Sequence, residues 1–426
     1  MLRRFQNLLA RYPAQFWLMF VGMFVSTVGA SMIWPFLMIY VSGKLHLPLT
    51  DVAFLLTINA ATGFVSSFFI AGPLTDRVGR KGVMVVSLMV NGLYYVLMAQ
   101  AETLSAFRWL MVLSGAFNPL YRVGGDAMLA DLIPPEKRPD AYALLRLSNN
   151  VGVAIGPAAG GFIASASYSI AFGLGAVGMC AYGLLLAILA RETLPERPAS
   201  LRPAAGWLAS QSMLVELLRG YWRIIRDLPF ISFTGAFTLN WMTAVLMWVL
   251  MGVYAKQNFG VPENQYGWIP TTNAMMVVLF QVLITARTKR YPPLWVMALG
   301  ALFYALGAGS VSLAVGYWGF WSAMVIMTLG ELILVPTSST YVANLAPVDM
   351  RGRYMSIYGL TWPIAQGIAP VIGGFLNDHY GPVTIWYGGM AIGLFSALAF
   401  AVLARCAPGP VSFQPAHDSL PTTEAE

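Results

Sequence analysis

The sequence predicts an all-α integral membrane protein with twelve transmembrane helices in two pseudo-symmetric six-helix bundles. Apolar residues make up 58% of the 426 residues and charged ones only 10%, too little charge for a soluble surface of this size. Apolar stretches long enough for a ~30 Å hydrocarbon layer recur along the whole chain. Two segments 213 residues apart align without a gap, Ala130–Arg138 on Ala343–Arg351, and the same offset lays Pro157, Gly160 and Gly161 on Pro370, Gly373 and Gly374. A hydrophobic half written twice is how many carriers build a central site between two bundles.

The first predicted span, 17–41, follows Arg3 and Arg4 with no small-residue cleavage signal before it, so it reads as a retained helix. Spans at 52–74, 83–99, 107–129, 141–164 and 168–190 complete an N-terminal bundle, residues 1–190. The connection 191–228 carries Pro195, Pro198 and Pro203. Within it, over Trp207–Leu228, Leu214, Leu217, Leu218, Trp222, Ile225 and Leu228 recur at helical spacing beside Arg219, Arg223 and Arg226. That pattern predicts a cytoplasmic linker with an interfacial helix. Spans at 229–253, 266–285, 294–314, 320–342, 353–376 and 383–404 form a C-terminal bundle, residues 229–405, and the polar remainder 406–426 is expected to be a mobile cytoplasmic tail.

With both termini in the cytoplasm, the inner segments hold 20 of the 25 Lys and Arg, while the outer connections hold only Lys44, Arg108 and Lys256. That imbalance orients the chain in a cytoplasmic (inner) membrane by the positive-inside rule. The net charge of +7 does not signal nucleic acid, because the basic residues are scattered through short connections rather than gathered on a phosphate-tracking face. Cys180 and Cys406 make neither a disulfide scaffold nor a metal cluster. A nucleotide-binding Gly-x-x-x-x-Gly-Lys-Ser/Thr loop and a His-Glu-x-x-His zinc motif are both absent, so neither an ATP-driven pump nor a zinc protease is expected.

The segment Gly72–Pro73–Leu74–Thr75–Asp76–Arg77–Val78–Gly79–Arg80–Lys81 resembles the signature between the second and third helices of the major facilitator superfamily. The resemblance implies that Asp76 faces the eleventh helix, beginning near Gly352, and helps hold the cytoplasmic side shut. Gly152, Gly156, Pro157, Gly160 and Gly161, preceded by Arg146, Asn149 and Asn150, resemble the Gly–Pro motif of the drug/proton antiporter branch. A small-residue stripe lets another helix approach, and Pro157 favours a bend. Two departures stand out. In the second half Asp76 is matched by Lys289 and Gly79 by Pro292, so one cytoplasmic latch is expected rather than two, and the first span lacks any ionisable residue.

Glu331 lies near the middle of the tenth span. A carboxylate at that depth is costly unless it faces a cavity and exchanges a proton, which makes it the leading proton-coupling candidate, with Asp126 the second. Arg122 and Asp126, four residues apart in the fourth span, share a helix face and with Arg146 form a candidate gating cluster. Asn59, Asn118, Asn149, Asn150, Asn240, Asn273, Gln281 and Gln366 are candidate polar lining, and Trp34, Trp241, Trp248 and Trp362 a candidate aromatic wall. The expected function is export of small hydrophobic or cationic compounds by alternating-access antiport, with a sugar, metabolite or lipid-like cargo as the alternative. The expected partners are a small amphipathic substrate, protons and membrane lipids, with the chain acting as a monomer. No cofactor or metal is expected; a proton gradient supplies the energy.

Overall fold

A computed structural model describes residues 11–194, 222–347 and 350–406. Successive helical segments run through them: α1 Ala14–Leu45, α2 Leu49–Val78, α3 Arg80–Gln100, α4 Leu104–Leu132, α5 Arg138–Ala166 and α6 Tyr168–Leu189 in the first half. The second half holds α7 Leu228–Phe259, α8 Glu263–Thr288, α9 Pro293–Val311, α10 Gly316–Leu345, α11 Arg351–Tyr380 and α12 Thr384–Cys406. Ten of these are long and apolar enough to cross a membrane. The other two, α4 and α5, have 29 residues each and are more polar. The interfacial helix expected at Trp207–Leu228 and the tail from 406 lie almost wholly outside the described residues.

Local chemistry sets the breaks. Pro35 sits in a 3₁₀ turn, Trp34–Phe36, that interrupts α1, and a π turn at Ser66–Ala71 interrupts α2. Gly79 divides α2 from α3 at φ +106, a backbone conformation that strains residues with a side chain. Thr103 and Ser167 cap α4 and α6 by accepting hydrogen bonds from the amides of Ala106 and Ile170.

The internal repeat is physical. Moved by 213 residues, Arg80 and Arg138, which open α3 and α5, land on Pro293 and Arg351, which open α9 and α11. The halves meet where α5 lies along α8 and α2 along α11, and these two contacts are repeat-equivalents. The backbone of Glu263 presses on Gly161, and that of Thr50 presses on Gly374, where an added methyl would fall 2.7 Å from the Thr50 Cα. In lipid, where apolar side chains gain little by leaving the solvent, such close approach is what holds helices together. Large apolar residues such as Ile188 and Val282 face outward, while Phe233, Phe237, Tyr304, Phe320, Trp386 and Phe400 fill the interior of the second half.

Candidate functional site: a central cavity

A cavity of about 610 Å³ lies between the halves. The broken helix α1 contributes Trp34 and Pro35, α7 contributes Trp241 and Trp248, α10 Glu331, and α11 Trp362 and Gln366. The indoles pair across it: Trp34 and Trp248 have centroids 5.9 Å apart, and Trp241 meets Trp362 edge-on at 4.7 Å. Among the described residues, Glu331 is the one charged residue on the wall. Its Oε2 accepts a 2.8 Å hydrogen bond from Asn273 Nδ2, which also donates to Thr328 Oγ1 at 2.9 Å. Asn273 thus stands behind the acid and aims it.

Of the other expected lining residues, Asn59, Asn118 and Asn149 are on the wall, the last accepting a hydrogen bond from Thr27 Oγ1 at 3.1 Å. Asn150, Asn240 and Asn273 are not, and Gln281 bonds instead to Thr285 and the Leu332 carbonyl. Asn240 is fully buried on α7 with neither amide atom paired among the described residues. Sequence reasoning missed Asn91, Tyr94 and Tyr95, which α3 presents to the cavity.

The hydrogen bonds that join the halves, among the described residues, all lie in the part of the molecule nearer one end. There Asp378 accepts from Leu49 N (3.1 Å), Thr50 N (2.9 Å) and Thr50 Oγ1 (2.6 Å), Tyr168 donates to Glu263 Oε1 (2.9 Å), and Gln257 donates to Ser42 (3.2 Å). Thr57 donates to the Gly367 carbonyl somewhat deeper. Glu263 is further held by Lys256 at 2.9 Å.

At the opposite end the signature residues bond within the first half. Arg80 pairs with Asp131 at 3.0 Å and with Asp76 at 3.5 Å, and donates to the Thr75 carbonyl. Asp76 makes no hydrogen bond or ion pair to α11 among the described residues, and space is open around Gly72 and Gly352. Arg77 is exposed, as are Arg122, Asp126 and Arg146, and no ion pair within 4.0 Å joins the last three. Glu192 closes the network by accepting from the first amides of α3, Arg80 N at 2.9 Å and Lys81 N at 3.1 Å. Partial burial pushes its carboxyl up, but these bonds and those from Leu194 N and Thr193 N outweigh it and hold the group below the usual glutamate range.

The glycine stripe of α5 does two jobs. Gly152, Gly156 and Gly160 receive Thr27, Ser31 and Met32 of α1, while Gly161 and the Pro157 carbonyl meet the start of α8. Pro157 also reaches the cavity wall.

Two similar helical halves around a central chamber, bonded together at one end, define a membrane transporter rather than an enzyme. The chain belongs to the Major Facilitator Superfamily, whose family model matches residues 19–254 and 233–425. It is 28% identical over 397 residues to a Na(+), Li(+), K(+)/H(+) antiporter of Planococcus maritimus, covering 86% of this chain and 89% of that protein. It is 24% identical over 368 residues to Multidrug resistance protein 1 of Bacillus subtilis (strain 168), covering 85% and 89%. A bacterial homolog to the human lysosomal transporter Spinster, solved in an inward-facing and unoccupied conformation, aligns with a TM-score of 0.74 at 13% identity over 92% of this chain and 96% of that one, a likeness of fold.

Proposed function

We propose that this protein exports small hydrophobic or cationic compounds in exchange for protons by alternating access. In this reading α4 and α5 also cross the membrane, giving twelve spans in two bundles of six with both termini in the cytoplasm. The end carrying Asp76, Arg80 and Arg351 is then cytoplasmic, by its basic residues, and the conformation described is the inward-open one.

The observation that carries the reading is Glu331, among the described residues a lone carboxylate on a wall of tryptophans, held by Asn273 and with no cationic side chain beside it on that wall. A proton neutralises it; so does an organic cation, with added attraction from the indole faces. Occupancy by one excludes the other, which is the elementary requirement for exchange. Asp126, Arg122 and Arg146 act in the cytoplasmic mouth as relay and gate, and Asp76 closes on α11 when the inner end shuts. The multidrug resistance relative supports this cargo class.

Proteoliposomes with an imposed pH gradient test it. A cationic dye is expected to move against the protons, and Glu331→Gln to lower gradient-driven exchange by at least tenfold with folding preserved. Undiminished proton-coupled exchange in that variant would sink the assignment. The antiporter relative favours a second reading, in which Glu331 takes a monovalent metal ion; sodium-dependent proton movement without dye movement would select it.

A further inference from the structure

The two halves do not contribute alike to the cavity, and the internal repeat makes the difference measurable. The offset of 213 residues that superposes the halves carries Glu331 onto Asn118, so the position that is acidic in α10 is a neutral amide in α4. Both side chains are on the wall. The second half presents three indoles, one acid and one amide, whereas the first, besides the Trp34 indole and apolar side chains, presents most of the neutral amides and hydroxyls.

Several of these have no protein partner. Asn118 is exposed to the chamber, and neither its amide nor the hydroxyls of Tyr94 and Tyr95 make a hydrogen bond among the described residues. Tyr94 is otherwise 6% exposed, so its phenol is embedded on α3 with only the cavity left to supply a partner. A ligand that displaces solvent from such groups without replacing the lost hydrogen bonds binds at a penalty, while one that matches them gains selectivity. A greasy cation with no polar groups fits the indoles but leaves this wall unpaired. An acidic or zwitterionic molecule fits poorly too, because no Lys, Arg or His among the described residues lines the chamber to meet its carboxylate.

Resting on the proposed function, we propose that the cavity selects an oxygen-rich monoamine, its ammonium between Glu331 and the tryptophans and its hydroxyl or carbonyl groups on Tyr94, Tyr95 and Asn118. The recognition is thus divided by half: charge on α10, hydrogen bonds on α3 and α4.

The test compares two probes bound to the purified full-length protein in lipid nanodiscs. Daunorubicin carries one amine on a sugar with hydroxyl and carbonyl groups; tetraphenylphosphonium carries one charge and no hydrogen-bonding group. Asn118→Leu is expected to weaken daunorubicin about tenfold more than tetraphenylphosphonium, and Glu331→Gln to weaken both together. Tyr95→Phe, which removes a single hydroxyl, is expected to shift the ratio in the same direction by a smaller factor and serves if Asn118→Leu fails to fold. Equal weakening of the two probes by both first-half variants, or failure of wild type to bind daunorubicin, overturns the divided site. In proteoliposomes, failure of both probes to move with a pH gradient overturns instead the proposed function.

Discussion

Asp378→Ala removes the bond that fastens the start of α2 to the end of α11. The carboxylate accepts from two backbone amides and one hydroxyl across the junction of the halves, at 3.1, 2.9 and 2.6 Å. It serves as an N-cap supplied by the other half of the chain. Caps are worth about 0.5–2 kcal/mol, and hydrogen bonds to a charged acceptor about 1.5–3 kcal/mol each before solvent screening. Asp378 is exposed, so screening brings the three together to roughly 1–2 kcal/mol. The contact joins the halves only while this end is closed, so its loss is expected to shift the ratio of closed to open populations about 5- to 30-fold toward open. Spin-label distance distributions between the tips of α1–α2 and α11–α12, in protein stripped of Cys180 and Cys406, read that ratio directly. Asp378→Asn keeps one acceptor oxygen and is expected to fall between. An unchanged distribution in the alanine variant would refute the claim that this cap holds the end shut.

Two further perturbations address packing and charge. Gly161→Leu drives a side chain into the Glu263 backbone, so it is expected to lower the population with this end closed and to reduce cysteine crosslinking between α5 and α8; wild-type crosslinking would count against the close approach. Glu192 has a folded pKa below its usual value, so its contribution is complete above the unfolded value of about 4.3 and fades as pH falls through the folded one. Hydrogen exchange at the Arg80 and Lys81 amides, corrected for intrinsic rates, is therefore expected to lose protection below about pH 4.3 in wild type, while Glu192→Gln shows weaker protection at pH 7 and little dependence on pH.

Much of the architecture was legible because lipid imposes length, apolarity and charge placement on each helix. The breaks at Gly79 and Pro35 sit where the residue type demands them, yet only Gly79 belongs to a recognisable signature; that Pro35 would turn Trp34 toward the chamber depends on what packs against α1. Helices α4 and α5 overrun the spans expected at 107–129 and 141–164, because Thr103 caps one early and the polar opening of the other continues the helix beyond the apolar stretch. Glu331 could be found from its isolation. Asn91, Tyr94 and Tyr95 also left a signal, polar groups at i, i+3 and i+4 in an otherwise apolar run, which marks one face of a helix. The pairing of Asp378 with Thr50 left none, since residues 328 positions apart meet only through the packing of the two halves. In the sequence Asn273 reads as one more lining amide, but the rotation of α8 turns it to the back of the acid.

Under the proposed exchange, a chamber wall with one carboxylate and no basic side chain among the described residues holds one proton or one monocation at a time. Trading one for the other under the proposed exchange carries no net charge across the bilayer. The membrane voltage, worth about 2.3 kcal/mol per charge for each 100 mV, then does no work on the cycle. Only the proton concentration ratio drives it, about 1.36 kcal/mol per pH unit, which caps accumulation of a monovalent cargo at tenfold for each unit of pH difference. Such a carrier exports uphill when the exterior is acidified, has no drive when the two sides match in pH, and runs backward when the outside turns alkaline, however strongly the membrane is polarised.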